Sequence, residues 1–193
     1  MSDSIETLHV GTFTVRIEYD PDCENPCTEQ DGLGFIHSFS HRHVNHIDIG
    51  KARIMMESDP DIVPLAYYEH GNCIWMVSEG PHPAGVEFQW DGTRFAGIWV
   101  PDDCVRESYQ GQDGLSRHDW MVRQAEACCE IYTQWCNGEI YYYIIEDEDG
   151  ENVDSLGGLY GLEYAIDEAR SAAQSEIERR QRETVKIDNM MAL

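Results

Sequence analysis

Residues 139–151 read EIYYYIIEDEDGE, a strand pattern that runs directly into a series of carboxylates. Isoleucines and tyrosines alternate along the first part, so both faces of the strand are apolar or aromatic. A strand with two such faces is buried on both sides and belongs in the middle of a sheet. The carboxylates at 146–151 then predict an acidic turn at the end of this strand.

Helical patterns flank the strand on both sides. Ser116 followed by Asp119 resembles a capping box, and the helix that it begins should end near Gly138. A second helix is predicted from residue 162 to about residue 183. The predicted core positions are Trp120, Val122, Ala127, Ile131 and Trp135 in the first helix and Ile166, Ala169, Ala173 and Ile177 in the second.

Alternation and turn residues predict the other strands. They lie at residues 9–19, 65–68, 73–77, 95–100 and 153–156. The first is a hairpin or a bent strand around Gly11, with Val10, Phe13, Val15 and Ile17 as candidate inward positions. Gly157 and Gly158 should end the last. The predicted class is therefore α+β, an antiparallel sheet with two helices of the C-terminal half packed against it.

The composition is that of a folded chain. With 193 residues, of which 41% are hydrophobic, it can bury the core of a single domain over residues 1–193, with a β-rich lobe at 1–110 and an α/β lobe at 111–193. Residues 1–11 lack the features of a signal peptide, and no run approaches the roughly 18 apolar residues of a membrane span. We therefore expect a cytoplasmic protein whose seven cysteines are reduced thiols.

The charge is strongly one-sided. The chain has 37 acidic and 13 basic residues, a formal net charge of -24, and residues 124–169 contain twelve carboxylates without a single lysine or arginine. Such a surface repels nucleic acid and attracts the proteins that bind it. The candidate partner-binding residues are Glu146, Asp147, Glu148, Asp149, Glu151, Asp154, Glu163, Asp167 and Glu168.

An alternative origin of the acidity is habitat. Only Lys51 and Lys186 are lysines, and an acidic, lysine-poor surface is also typical of a high-salt cytoplasm or a GC-rich genome. Salt adaptation would spread the acids evenly, whereas residues 124–169 concentrate them and residues 170–193 mix five bases with four acids. The local concentration favours a functional surface.

A second alternative is a metal site. Cys23, Cys27, His41 and His43 are ligand types that zinc accepts, and two more histidines, His37 and His46, lie nearby. Their spacing matches no standard closed zinc site, so we expect no bound zinc and no cofactor.

An enzymatic function lacks a motif. Neither a nucleophile elbow nor a phosphate-binding loop nor a zinc-protease motif occurs, so we predict that the protein is not an enzyme. The alternative left open is a small metal-binding or hydrolytic accessory protein that uses the segment from His37 to Asp48, with His41, His43 and Asp48 as a nuclease-like set.

Three short sequences carry a family resemblance. They are ENP at 24–26, DGLG at 31–34 and HRH at 41–43, and they resemble a pattern, roughly NPRxxDNLG followed by HRxY, of an uncharacterised family of phage and mobile-element proteins. Its C-terminal block of helix, strand, DSCWG-like turn and helix resembles residues 132–138, 139–149, 154–155 and 161–169.

The resemblance implies a viral or plasmid origin, and with the acidity it implies an anti-defence protein, an inhibitor of a CRISPR effector or a restriction enzyme. Duplex DNA presents one negative charge per roughly 1.7 Å of helix axis, and the cleft of a protein that binds it is lined with basic residues. The expected partner is therefore a basic, nucleic-acid-binding protein or complex of the host. We expect no direct binding to nucleic acid and none to membranes, and a homodimer is compatible with the sequence.

Overall fold

The computed structural model describes residues 4–29, 32–79, 91–111 and 114–191, and of residues 28, 29 and 188–191 the backbone alone. Its elements are β1 Glu6–Val10, β2 Phe13–Tyr19, α1 Pro26–Glu29, β3 Phe35–Ser38, α2 Ile49–Ser58, β4 Val63–His70, β5 Asn72–Val77, β6 Gly92–Val100, α3 Asp103–Ser108, α4 Arg117–Cys136, β7 Ile140–Glu146, β8 Asn152–Tyr160 and α5 Leu162–Met191. The strands pair antiparallel in two sheets, and α4 and α5 each pack on a sheet. The predicted α+β class with two C-terminal-half helices is confirmed.

The chain forms two compact units. The first unit is Met1–Cys23 with Gly138–Leu193, and the second unit is Glu24–Asn137. This grouping differs from the predicted lobes at 1–110 and 111–193. The reason is that β2 pairs with β7, so that strands from opposite ends of the chain share one sheet.

The first unit is a sheet in the order β1-β2-β7-β8 with α5 packed on it. Val15 lies opposite Ile145 across the β2–β7 pair, and both side chains are fully buried. Ala165, Ala169 and Ala173 of α5 are fully buried as well, and their small side chains let the helix lie close to the sheet. The predicted central position of β7 agrees with this order. Of the predicted stripe of α5, Ala169 and Ala173 are buried, whereas Ile166 and Ile177 are half-buried and pack against this core.

Gly157 and Gly158 lie inside β8 and do not end it, which corrects the prediction. The Gly158 N–H donates to Oδ2 of Asp20 at 2.8 Å, and a Cβ on Gly157 would lie 2.7 Å from that same oxygen. The two glycines therefore allow a carboxylate to reach the strand backbone, a close approach that glycine in a strand often serves.

The second unit is a sheet in the order β3-β6-β4-β5 with a helix on each face. Successive residues of β6 point to opposite faces. Trp99 accordingly packs in the core that α4 covers, and Ile98 packs with Ala52 in the core that α2 covers. Both Ile98 and Trp99 are fully buried.

The α4 helix begins at the predicted capping box. Oγ of Ser116 accepts the Asp119 N–H at 3.1 Å and donates to the Asp119 carboxylate at 2.6 Å. Its predicted core was wrong in part, since Ala127 is exposed and the other four positions are only half-buried. The buried positions are Met121, Ala125, Cys128, Cys129 and Tyr132. This buried stripe consists largely of alanine, cysteine and tyrosine, whereas the prediction favoured the largest aliphatic and indole side chains.

All seven cysteines are free. Cys128 and Cys129 are buried packing residues of α4, and Sγ of Cys27 lies 3.3 Å from Sγ of Cys128. Within the described residues, none of the helices combines the length and the apolar character that crossing a membrane requires.

Candidate acidic interface

The acidic turn after β7 is held by one of its own carboxylates. Oδ1 of Asp147 accepts the backbone N–H groups of Asp149 and Glu151, both at 3.1 Å. These hydrogen bonds to the charged form, that from Glu151 foremost, lower the pKa of Asp147 below its usual range. Gly150 closes the turn with a φ of 79°, a left-handed conformation that favours glycine. These hydrogen bonds therefore hold the acidic turn in an ordered conformation.

Three of the nine candidate residues have arginine partners, and two of these three lie in the turn. Nη2 of Arg16 donates to Oε1 of Glu146 at 2.8 Å, and Nη2 of Arg180 lies 3.5 Å from Oδ2 of Asp147. Arg16 and Arg180 lie outside residues 124–169 in the sequence. In the fold they compensate part of the negative charge of this stretch. Glu146 and Asp147 therefore stabilise the turn, and we remove them from the set available to a partner.

The exposed acids of the turn lead along β8 towards α5. Glu148, Asp149 and Glu151 are exposed and form no ion pair with any described residue. Asp154 follows on β8, opposite Ile145, and accepts a hydrogen bond from the Tyr143 hydroxyl at 3.3 Å. Because β8 is an edge strand of its sheet, this row of carboxylates lies at the rim of the first unit.

Tyr143 connects this rim to the helix. Burial raises the pKa of Tyr143 to about 12, and the charges of Asp154 and Glu168 contribute to the increase. Both carboxylates therefore lie close to the same phenol, one on β8 and the other on α5. The acids of the strand and of the helix therefore come near one another at this point.

Glu163 and Asp167 continue the surface at the start of α5. Four residues apart, they share a helix face as predicted, and both are exposed. Asp167 lies 4.0 Å from Arg170, an exposed pair that contributes little. The helix starts beside Ile140, whereas the turn lies beyond Glu146, so β7 separates the two ends by about 20 Å.

We call seven of these side chains the acidic row. They are Glu148, Asp149, Glu151, Asp154, Glu163, Asp167 and Glu168. The row stops short of the second half of α5, where the charges are mixed. There Arg179 binds Glu176 at 2.6 Å and Glu183 at 2.8 Å.

The candidate zinc ligands are not brought together. Sγ of Cys23, in the first unit, lies 3.3 Å from the Tyr160 hydroxyl, whereas Cys27 belongs to the second unit and contacts Cys128. The ring of His41 contacts a different partner, His46, with centroids 4.0 Å apart and planes inclined by 33°. No group of three or more histidine, cysteine or acidic side chains among the described residues is arranged to hold a metal ion.

The segment from His37 to Asp48 does not form the nuclease-like set either. Asp48 is the N-cap of α2, and its Oδ1 accepts the N–H groups of Gly50 at 2.9 Å and Lys51 at 3.1 Å. Nδ1 of His43 lies 2.7 Å from Oγ of Ser38, a residue that is only 1% exposed.

Comparisons of the chain with protein-family models, with curated proteins and with solved structures give no match. The resemblance to phage and mobile-element proteins therefore stays a prediction, and Asp31 of its second motif lies outside the described residues.

Proposed function

We propose that this protein is an acidic inhibitor, encoded by a phage or mobile element, of a host defence complex such as a CRISPR effector or a restriction enzyme. It binds the basic surface with which that complex grips nucleic acid. The acidic row occupies the place of the phosphates, and the partner's lysines and arginines bind to it.

The density of the acidic row is the observation that carries this proposal. Seven carboxylates extend over about 20 Å. A single nucleic-acid strand carries one charge per about 3.4 Å, which gives about six charges over the same length. The row therefore matches the charge of one strand, and the arginine-bound acids of the turn hold its end in place.

Affinity capture from a host lysate tests the proposal with two variants of equal charge. The tip variant neutralises four acids of the row, Glu148→Gln, Asp149→Asn, Glu151→Gln and Asp154→Asn. The control variant neutralises four exposed acids of the second unit, Glu57→Gln, Glu107→Gln, Glu126→Gln and Glu130→Gln. Exposed charges contribute little to stability, so both variants should fold.

We expect the tip variant to lose affinity for the captured complex. At about 0.5 kcal/mol for each exposed pair, four pairs give about 2 kcal/mol, or roughly 30-fold in the dissociation constant. Association should slow, and the dependence of binding on salt should flatten. Equal losses in both variants would mean that total charge and not the acidic row determines binding, and unchanged binding in both would favour the habitat explanation.

The purified protein should not bind duplex DNA or RNA at physiological salt, because its charge has the same sign as the phosphates. A band-shift titration checks this expectation. A complex with a dissociation constant tighter than roughly micromolar, on the scale of specific complexes, would contradict the proposed mode of action.

A further inference from the structure

An aromatic cleft in the second unit lies outside the acidic row and has no role in the function proposed above. β4, β5, the end of α4 and the loop after β3 form a cavity of about 320 Å³. Such a volume is at the lower end of the range of small-molecule sites.

The rings of the cleft contact one another in sequence. Tyr67 and Trp75 have centroids 4.8 Å apart, Trp75 and Tyr132 are 5.9 Å apart, and Tyr132 and Trp135 stack at 5.7 Å with planes inclined by 14°. His43 meets the edge of this series at Tyr67, 5.2 Å away. Ring faces carry negative charge density, so a cleft lined by tyrosine and tryptophan favours a cation.

One carboxylate lies at the rim of the cleft. Oε2 of Glu69 accepts a hydrogen bond from the Tyr67 hydroxyl at 3.0 Å, and its other oxygen has no partner among the described residues. The Glu69 carboxylate affects two groups of the cleft. Burial, together with the hydrogen bond to Glu69, raises the pKa of Tyr67. Burial lowers the pKa of His43, and the charge of Glu69 opposes this lowering.

The positive charge of Arg42 also acts on this part of the second unit. Arg42 lines a neighbouring cavity of about 280 Å³ that shares His43, Tyr67 and Trp75 with the cleft. His43 itself is neutral near pH 7, because burial and Arg42 lower its pKa. A cation is therefore favoured on the Glu69 side and disfavoured on the Arg42 side.

We propose that this cleft is a binding site for an organic ammonium group, held against the aromatic rings that line it and neutralised by the free oxygen of Glu69. The group can belong to a small quaternary amine or to a lysine side chain, methylated or not. Because the cleft lies in the second unit, the proposal stands independently of the acidic row.

Choline and its neutral isostere 3,3-dimethylbutan-1-ol test the proposal. The two probes have the same shape and differ in charge, and all five tryptophans of the chain lie in the second unit, so tryptophan fluorescence reports binding. At constant ionic strength, we expect choline to bind and the alcohol to bind about tenfold more weakly or worse. Equal binding of both probes would overturn the proposal, and so would failure of choline and of the lysine probes described below to bind at millimolar concentrations.

Two variants and one control locate the site. Glu69→Gln should weaken choline binding several-fold and leave the alcohol unchanged, whereas the exposed Glu57→Gln should change neither. Trp135→Leu should remove the preference for the cation, but Glu69→Gln decides the test if that variant fails to fold. Unchanged choline binding in Glu69→Gln would contradict the proposal.

Nα-acetyl-lysine methylamide, with and without three methyl groups on Nζ, then identifies the source of the ammonium. Tighter binding of the lysine probes than of choline assigns the cleft to a peptide side chain, and the reverse order assigns it to a free amine. Either order supports the proposal, and failure of every cationic probe overturns it. Loss of partner capture by the tip variant is measured separately, so the two proposals can fail independently.

Discussion

Gly97→Ala should destabilise the second unit by about 3 kcal/mol. Gly97 is buried on β6 opposite Ser38, where two strands approach closely. A Cβ at this position would collide with the backbone carbonyl oxygen of His37, and it would also lie 3.1 Å from the Trp75 ring. The backbone of a paired strand cannot move aside as a flexible side chain can, so the collision must be relieved by distorting the sheet. Denaturant unfolding followed by tryptophan fluorescence measures the loss.

Gly71→Ala is the comparison for this variant. Gly71 has a φ of 83°, and a Cβ there meets nothing within 4 Å, so its only cost is the left-handed backbone, about 1–2 kcal/mol. The amount by which the free energy of unfolding falls further in Gly97→Ala than in Gly71→Ala measures the cost of the collision with the neighbouring strand. Equal losses of stability in the two variants would contradict the close approach of β3 and β6 at Gly97.

Asp61→Asn should destabilise the second unit by about 2–3 kcal/mol. Asp61 is only 7% exposed, and Oδ2 accepts from Arg117 at 2.6 Å and from Arg106 at 2.9 Å. This carboxylate therefore joins the start of β4 to both α3 and α4. An amide loses the ion pairs and turns a donor towards the two guanidinium groups. Glu107→Gln, an exposed change on α3, should leave the free energy of unfolding within about 0.5 kcal/mol of the original.

The same network predicts a pH dependence. The hydrogen bond from Arg117, with the charges of both arginines, lowers the pKa of Asp61 below its usual range. Because this pKa is lower in the folded chain than in the unfolded chain, the contribution is fully present above the unfolded value of about 4 and is lost as the pH falls through the folded value. As the pH falls below about 4, stability should therefore decrease more steeply in the original protein than in Asp61→Asn. Parallel curves would contradict the network.

The parts of the fold that the sequence predicts best are those with a strong period or a clear cap. The β7 strand and the Ser116 cap of α4 belong to this group. The α2 helix was not predicted, because its pattern has no clear apolar stripe: Ala52 is its single buried residue, and Ile54 is 68% exposed. Asp48 was the available signal, but it was assigned to a catalytic set and not to an N-cap.

The candidate interface, too, could be predicted from the sequence only in part. Sequence identifies the acids, because their number and the gap in positive charge are visible without a structure. It cannot identify which acids are already paired, since Arg16 lies 130 residues from Glu146 along the chain. The aromatic cleft was missed for the same reason: its rings come from β4, β5 and α4, and each of them alone is typical of a core residue.

Protection of a targeted phage tests the central claim most directly. A host that carries an active CRISPR effector or restriction enzyme would express the original protein, the tip variant or the control variant at equal level, and the efficiency of plating of a targeted phage would be measured. The account predicts that the original protein and the control variant raise plating towards the level of a defence-deficient host, and that the tip variant does not. Equal protection by a folded tip variant would contradict the role of the acidic row, and no protection by the original protein against any such system would contradict the proposed function.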